Sequence, residues 1–214
     1  ILRKVFHIFI VICYIPGVIL DEELLCIATS GLLWLFCIAE CIRLSSFTSM
    51  GSRLNQYIIP FLKEGCASWF IIPNHFLLLI SVSLPIWIIN FIYFGDYTKV
   101  LLAHRLNFLL SCIICVGIGD ATASIIGVRY GKHKISSGRK TYEGVIASFI
   151  IQFIFYASVF RIFSGILSPT YFDFVYFFCS LTTSIIEGLT LQEDNIILPI
   201  LSISQMIALL PINV

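Results

Sequence analysis

Charged residues are scarce in this sequence. Asp, Glu, Lys and Arg make up 12% of its 214 residues, whereas hydrophobic residues make up 59% and the mean hydropathy is +1.01. A soluble globular domain carries roughly 25% charged residues, so the composition excludes a soluble core and predicts a polytopic membrane protein. The net charge is only +1 and no tract of Lys and Arg occurs, which gives no support to nucleic-acid binding.

Other familiar signals are missing as well. The sequence has no Asn-x-Ser/Thr sequon, no Gly-x-x-x-x-Gly-Lys-Ser/Thr phosphate loop and no repeat of fixed period. Nearly all of the eight cysteines lie inside apolar runs, where cysteine behaves as a small hydrophobic residue. Cys112 and Cys115 have the spacing of a redox or zinc motif, but they lack a second pair or a nearby histidine, so we interpret them as structural.

The chain begins Ile1-Leu2-Arg3-Lys4, without an initiator methionine. It also lacks the positively charged, apolar and small-residue pattern of a cleavable signal peptide. We therefore expect it to be a fragment of a longer protein.

Seven apolar segments are long enough to cross about 30 Å of hydrocarbon. They lie at about 5–20, 24–39, 71–94, 106–128, 144–163, 172–186 and 196–212. The first, second, sixth and seventh are short, near the lower limit of roughly 17 residues. The polar turn Asp21-Glu22-Glu23 predicts a helical hairpin between the first two. The sequence therefore predicts an all-α fold, a polytopic integral membrane helical bundle with about seven transmembrane helices.

The basic residues favour one side of this bundle. Of the 13 Lys and Arg residues, 10 lie on the side that holds the chain start and the segments 40–70, 129–143 and 187–195. The opposite side keeps Lys99, Arg105 and Arg161. The positive-inside rule makes the basic side cytoplasmic. We therefore expect the polar segments that carry candidate functional residues to lie on the cytoplasmic face.

Asp120 lies inside the fourth predicted span, in the segment Gly117–Ser124 (Gly-Ile-Gly-Asp-Ala-Thr-Ala-Ser). It is about eight residues from the cytoplasmic end of the span, or roughly 12 Å at 1.5 Å per residue. An acid at that depth more often marks a pathway or a metal site than a contact between helices. The alternative, in which Asp120 only holds helices together, stays open. Gly119, Ala123 and Gly127 recur every four residues, which lets membrane helices pack closely.

The loop 129–144 holds five basic residues together with glycines and serines. Glycines let backbone N–H groups approach phosphate oxygens, and Lys or Arg neutralise their charge. The next helix begins near Glu143 and adds unpaired N–H groups at its start. The alternative is an ordinary basic cytoplasmic loop, in which Thr141 caps the helix and Gly144 occupies its third position.

Acids and amides also crowd between the sixth and seventh spans. Glu187 is followed by Gln192-Glu193-Asp194-Asn195, and oxygen ligands packed this tightly suit a hard cation such as Mg²⁺. Alternatively, Asp194 and Asn195 cap the last helix. Elsewhere, His7 is interpreted as an interfacial anchor, and the histidines without companion ligands as structural. The latter are His75 and His104.

These elements, in this order, resemble the C-terminal catalytic region of dolichol kinases, which are related to CTP-using phytol kinases and more distantly to lipid cytidylyltransferases. The similarity runs nearly end to end. The matching segments are Arg3-Lys4-x-x-His7, Tyr14-Ile15-Pro16-Gly17, Ser83-Leu84-Pro85-Ile86-Trp87, Gly119–Ser124, Gly131-Lys132-His133, Lys140–Gly144 and Gln192–Asn195.

The resemblance implies CTP-dependent phosphorylation of dolichol to dolichyl phosphate, which feeds protein glycosylation, at the cytoplasmic face of the endoplasmic reticulum membrane. It implies one transmembrane catalytic domain over residues 1–214, the C-terminal part of a chain with further upstream spans, and it makes the loop matching 131–144 the CTP-binding segment. One departure is Lys63-Glu64-Gly65-Cys66, where the family tends to show an acidic cluster.

The resulting hypothesis assigns three overlapping sets of residues. CTP as co-substrate is bound by Gly131, Lys132, His133, Arg139, Lys140, Thr141, Glu143 and Gly144. Mg²⁺ or another divalent cation is held by Asp120, Glu187 and Asp194. The catalytic residues are Asp120, Lys140 and Asp194, and one of the two aspartates accepts the alcohol proton if it does not hold the metal.

Three alternatives remain open at this point, and the oligomeric state is unassigned. A related prenol or phytol kinase would differ in the lipid, and a CTP-dependent lipid cytidylyltransferase would differ in the phosphate bond that breaks. In a membrane transporter, Asp120 and Glu187 would couple ions and the basic loop would serve only topology.

Overall fold

The computed structural model describes residues 2–44, 53, 73–92, 99–135, 140–190 and 194–208. Several predictions fall outside these ranges or on side chains that are not described. They concern Lys63–Cys66, Arg139, Gln192, Glu193 and the side chain of Asp194.

Within the described ranges the chain forms eight α-helices and one π-helical segment. They are α1 (Leu2–Leu20), α2 (Glu22–Leu44), α3 (Pro73–Ile92), α4 (Lys99–Cys112), the π segment (Ile113–Gly119), α5 (Asp120–Tyr130), α6 (Tyr142–Ser164), α7 (Tyr171–Leu189) and α8 (Asp194–Ala208). Because α4, the π segment and α5 follow one another without a break, the nine elements make seven helical rods.

Four stretches are long and apolar enough to cross a membrane: Glu22–Arg43, Leu102–Tyr130, Tyr142–Ser164 and Tyr171–Leu189. The remaining three rods carry shorter apolar stretches, at Phe9–Leu20, Phe76–Asn90 and Asn195–Ala208. Their number and order match the seven predicted spans. The prediction of an all-α, polytopic membrane bundle with about seven helices is confirmed.

Two helix boundaries differ from the predicted spans because polar residues find partners inside the fold. Helix α2 continues to Leu44, past the predicted end at residue 39, and Arg43 Nε donates to Glu40 Oε2 at 2.8 Å one turn away. Helix α4 begins at Lys99 rather than near residue 106, because His104 is buried within it and Arg105 pairs with Glu22. A span that is predicted from hydropathy alone ends where such polar residues occur.

The π segment is a feature that the sequence did not predict. All of its residues except Ile118 are buried, and it ends where the Asp120 N–H bonds to the Cys115 carbonyl, five residues back. π turns inside α-helices are rare and frequently lie at functional sites, since the wider turn re-aims the residues that follow. The residue that follows here is Asp120.

Helix α6 lies at the centre of the bundle and packs against α4, the π segment, α5 and α7. The core beside it is aromatic, with the rings of Tyr156 and Tyr176 stacked at a centroid distance of 5.4 Å. Helix α1 packs against the π segment. Both ends of α6 therefore meet several other helices, and the end that begins at Tyr142 carries the candidate site.

Candidate functional site

The basic loop folds back on itself as a short hairpin ahead of α6. The Ile135 N–H donates to the Lys140 carbonyl at 2.9 Å, and the Tyr142 N–H donates to the His133 carbonyl at 3.0 Å. The tip of the hairpin, 136–139, lies outside the described residues, so the role of Arg139 stays a prediction. Lys140 directly follows this tip, and its side chain reaches α7.

Thr141 joins the hairpin to α6 as the helix N-cap. Its side chain is buried, and its Oγ1 accepts a hydrogen bond from the Gly144 N–H at 3.3 Å. The interpretation of Thr141 as a cap with Gly144 at the third helical position is confirmed. A threonine hydroxyl accepts and donates, so capping is compatible with a phosphate contact as well.

Lys140 connects the hairpin to the last turn of α7. Its Nζ donates to the backbone carbonyl of Glu187, and Thr190 Oγ1 donates to the same carbonyl at 3.3 Å. Carbonyls in the last turn of a helix lack intrahelical donors, and the helix dipole favours a cation there. An ammonium has three N–H donors, so this contact and a phosphate contact are compatible.

The carboxylate of Glu187 is buried between α6 and α7, where the residue is only 2% exposed. Its Oε2 accepts a hydrogen bond from Ser148 Oγ at 3.1 Å. Ser148 belongs to a buried set of polar side chains that we call the α6–α7 polar network. Its members are Ser148, Gln152, Thr183, Ser184 and Glu187.

Asp120 begins α5 and faces His7 of α1. The distance from Asp120 Oδ2 to His7 Nε2 is 3.5 Å. The interpretation of His7 as an interfacial anchor is wrong, because α1 packs against the π segment and buries His7 to 7% exposure. Helix α5 runs to Tyr130, so Asp120 lies ten residues (120 to 130) from its end, roughly 15 Å rather than 12 Å.

The small residues around Asp120 make close contacts, as predicted. A Cβ at Gly119 would overlap the Gln152 amide and lie 3.1 Å from Ser148 Oγ, and a Cβ at Gly144 would lie 2.6 Å from the Ala123 carbonyl oxygen. The residue before Asp120 therefore packs against Gln152 and Ser148, and Ser148 in turn donates to Glu187.

Glu143 and His133 pair at the exposed edge of the hairpin. His133 Nδ1 lies 2.7 Å from Glu143 Oε1, and the His133 N–H donates to the same oxygen at 3.2 Å. The His133 side chain is 78% exposed, and Lys132 beside it is exposed too. The pair fixes the hairpin to the first turn of α6, and CTP contacts by these residues remain a prediction.

Asp120 and Glu187 supply the carboxylate oxygens that Mg²⁺ prefers. In the part of the chain that the structure describes, no three His, Cys, Asp or Glu side chains gather as a metal-binding group. The side chain of Asp194 lies outside that part, so the three-acid site stays a prediction. Mg²⁺ is usually bound by one or two carboxylates together with water and substrate phosphates, and the donors found here fit that mode.

The interpretation of His104 and the buried cysteines as structural agrees with the fold. His104 is buried, and its Nδ1 lies 3.1 Å from the Tyr176 hydroxyl. Cys112 and Cys115 are buried free thiols. The His104 ring packs against the rings of Phe172 and Tyr176.

The polar side chains that join α6 to α7 beside Glu187 were not predicted from the sequence. Ser148 and Gln152 are four residues apart on α6, and Ser184 and Glu187 are three apart on α7. Side chains at these spacings share one face of a helix. Polar residues that recur on one face of an apolar span were therefore the available signal, and both pairs lie on the interface of α6 with α7.

Fold and site together define an all-α polytopic membrane protein whose polar side chains gather where a hairpin meets the central helix. In sequence the chain is 34% identical over 197 residues to the dolichol kinase of Schizosaccharomyces pombe, covering 92% of this chain and 37% of the relative. It is 32% identical over 201 residues to human dolichol kinase, covering 92% and 36%. The chain belongs to the dolichol kinase family.

The similarity extends to other kingdoms. The dolichol kinase EVAN of Arabidopsis thaliana is 29% identical over 203 residues, covering 93% of this chain and 33% of the relative. The chain thus spans about a third of the length of the curated relatives it matches. No protein-family model matches it, and no solved structure does.

Proposed function

We propose that this chain carries the site at which a full-length dolichol kinase transfers the γ-phosphoryl group of CTP to the terminal hydroxyl of dolichol. The products are dolichyl phosphate, which feeds protein glycosylation, and CDP. The observation that carries the proposal is the similarity to dolichol kinases over 92% of the chain. The meeting of Asp120, Lys140 and Glu187 at one end of the bundle supports it.

Phosphoryl transfer requires positioning and charge neutralisation more than covalent chemistry by the protein. Lys132, Arg139 and Lys140 neutralise the CTP phosphates. Backbone N–H groups near Gly131 and Gly144, the Thr141 hydroxyl and the His133–Glu143 pair complete and hold the binding loop. The backbone bonds across the hairpin support this role, since they keep Lys140 beside α7.

Asp120, Glu187 and Asp194 are the acids that would hold a divalent cation. Mg²⁺ bound there would supply neutralisation of the phosphate charge. The alcohol oxygen forms a bond to the γ-phosphorus while the bond from that phosphorus to the β–γ bridging oxygen breaks, and CDP leaves with the electron pair. If one of Asp120 and Asp194 accepts the alcohol proton, the other aspartate and Glu187 would hold the cation.

The two substrates meet at one membrane face. The isoprenoid chain of dolichol lies against the apolar helix surfaces, and its hydroxyl reaches the mouth of the site from within the bilayer. CTP enters from the cytosol. The side of the bundle that carries 10 of the 13 basic residues supports a cytoplasmic orientation, in the endoplasmic reticulum membrane.

The proposal is tested with the full-length protein in microsomes, supplied with γ-labelled CTP and dolichol. We expect labelled dolichyl phosphate and unlabelled CDP. Lys140→Ala should lower turnover by about a hundredfold, since one group that stabilises transition-state charge is typically worth that much. Lys134→Ala removes one positive charge from an exposed position of the same hairpin and should lower turnover by no more than about threefold.

The products also separate the alternatives. Pyrophosphate in place of CDP would identify a lipid cytidylyltransferase, and substrate flux across vesicles without CTP consumption would identify a transporter. Full turnover by Lys140→Ala would contradict the assignment of the hairpin as the nucleotide-binding element.

A further inference from the structure

Two buried side chains of α6, at its contacts with Gly119 and with α7, are not used by the proposed function. Ser148 and Gln152 are 0% and 1% exposed, inside a stretch of α6 that is apolar enough to span a membrane. Buried polar groups in membrane helices are uncommon because an unsatisfied group in hydrocarbon is costly. The hydrogen bonds of Ser148 and Gln152 therefore indicate the role of these two side chains.

The hydrogen bonds around Ser148 define the orientation of its hydroxyl proton. The Gln152 amide nitrogen lies 2.9 Å from Ser148 Oγ and 3.1 Å from Ser184 Oγ, and an amide nitrogen donates. A serine hydroxyl has a single proton. Because Ser148 Oγ accepts from Gln152, its proton points to Glu187 Oε2 at 3.1 Å.

The same pair also limits the position of Asp120. Gly119 packs so closely on α6 that a Cβ would overlap the Gln152 amide and lie 3.1 Å from Ser148 Oγ. Gly119 is the last residue of the π segment and Asp120 the first of α5. Ser148 and Gln152 thus touch the backbone that carries one acid and the network that holds the other.

We propose that Ser148 is a positioning residue of the kinase site, which holds the Glu187 carboxylate at a fixed orientation and distance from Asp120 for a divalent cation, and that Gln152 orients the Ser148 hydroxyl. This inference rests on the proposed function, because it gives Glu187 the role of a cation ligand. A hydroxyl that donates to one oxygen of a carboxylate fixes the direction in which that carboxylate presents its oxygens. Groups that support metal ligands in this way typically change affinity or activity by about 10- to 100-fold when removed.

The alternative is a purely structural role, in which the network only joins α6 to α7, as polar side chains in membrane bundles often do. Ser180 provides a matched control on α7. It is as buried as Ser148, but its hydroxyl donates to the Tyr176 carbonyl of its own helix at 2.7 Å. Ser148→Ala and Ser180→Ala remove the same atom from the same depth of burial, and only the first removes a contact to an acid.

The experiment compares both variants in the purified full-length protein. Mn²⁺ binding is followed by the electron paramagnetic resonance of the free ion, alongside kcat and KM for CTP at graded Mg²⁺ and the thermal midpoint without ligand. For Ser148→Ala we expect an apparent Mn²⁺ affinity at least about tenfold weaker and a higher Mg²⁺ requirement, whereas Ser180→Ala should bind Mn²⁺ like the wild type. Equal Mn²⁺ affinity in the two variants would overturn the proposal.

A second variant keeps the test usable if Ser148→Ala does not fold. Gln152→Met removes the amide and keeps the volume, so it should weaken Mn²⁺ binding in the same direction by less than Ser148→Ala, and unchanged binding would count against the proposal. If the wild type binds Mn²⁺ but yields no dolichyl phosphate, the proposed function fails while the comparison of variants still holds. A wild type that binds no Mn²⁺ overturns the positioning role, whatever reaction it catalyses.

Discussion

The two ends of the bundle use charged residues in different ways. At the far end, where α6 meets α7, Arg161 Nη1 donates to Asp173 Oδ1 at 2.7 Å, and the other oxygen of Asp173 accepts the Thr170 N–H at 2.7 Å. Arg105 pairs with Glu22 at the same end. These contacts join opposite charges and complete helix ends.

At the site end, two contacts between elements pair a charged side chain with a neutral group, whereas the acids Asp120 and Glu143 face His7 and His133. The Glu187 carboxylate accepts from a serine hydroxyl, and the Lys140 ammonium donates to a backbone carbonyl. An arginine neutralises the carboxylate that it binds, whereas a hydroxyl orients a carboxylate without changing its charge. The comparison indicates that charges at the far end serve stability, and we propose that the Lys140 and Glu187 charges at the site end serve ligand binding.

The largest expected effect comes from matched substitutions of one aspartate at each end. Asp120→Asn keeps the size of the side chain and removes its charge, so CTP-dependent phosphorylation of dolichol should fall by at least about a hundredfold. Asp173→Asn makes the same change at the far end. It should leave turnover within about threefold and lower the thermal midpoint, because it weakens an ion pair and a helix cap.

Turnover and the thermal midpoint of the full-length protein check this prediction. The distinction between the ends would be lost if Asp173→Asn abolished turnover in a protein that remained folded. Equal turnover by Asp120→Asn and the wild type would remove Asp120 from the site.

A smaller contrast concerns two glycines, Gly144 in the first turn of α6 and Gly165 just after its last turn. At Gly144, a Cβ would lie 2.6 Å from the Ala123 carbonyl oxygen, which is backbone and cannot rotate away. Gly144→Ala should therefore push α5 from α6, cost about 1–3 kcal/mol and lower turnover about tenfold. At Gly165 there is open space but φ is 72°, so Gly165→Ala should cost about 1–2 kcal/mol and spare turnover.

Unfolding measured alongside turnover separates these two glycines, since both variants lose stability but only Gly144→Ala should lose activity in the folded state. Gly31→Ala serves as the reference, because a Cβ there has nothing within 4 Å and φ is not positive. A Gly144→Ala protein with normal turnover would show that the close approach of α5 and α6 is not needed for the site.

The spans and their order could be predicted from the sequence because the bilayer imposes a minimum apolar length on each helix. The cap at Thr141 was predictable too, since it depends on residues within one turn. The π segment was not. Nothing in Ile-Ile-Cys-Val-Gly-Ile-Gly distinguishes an α turn from a wider one, and the choice depends on packing against α1, α4 and α6.

In the candidate site too, some residues could be predicted from the sequence and others could not. Asp120, Lys140 and Glu187 stood out because a charge inside or beside an apolar span needs a reason. Ser148 and Gln152 did not stand out, since a serine or a glutamine costs much less in an apolar helix. The contact of His7 with Asp120 depends on the packing of α1 against the π segment, which no local pattern of α1 encodes.

The smallest expected effect tests whether the far end contributes to stability alone. Thr170 precedes α7, and its hydroxyl donates to Asp173 Oδ2 at 3.1 Å. Thr170→Val keeps the shape and removes the hydroxyl, so it should cost about 1 kcal/mol, the usual loss for a helix cap, while Thr170→Ser should recover most of it. Thermal midpoints of the purified protein measure this loss.

Turnover and the Mn²⁺ affinity should stay at wild-type values in both variants, because the Arg161–Asp173 pair holds the far end independently of the α6–α7 polar network. A fall in Mn²⁺ affinity in Thr170→Val would mean that the two ends are coupled through α7, and the division between a stabilising end and a ligand-binding end would then be wrong.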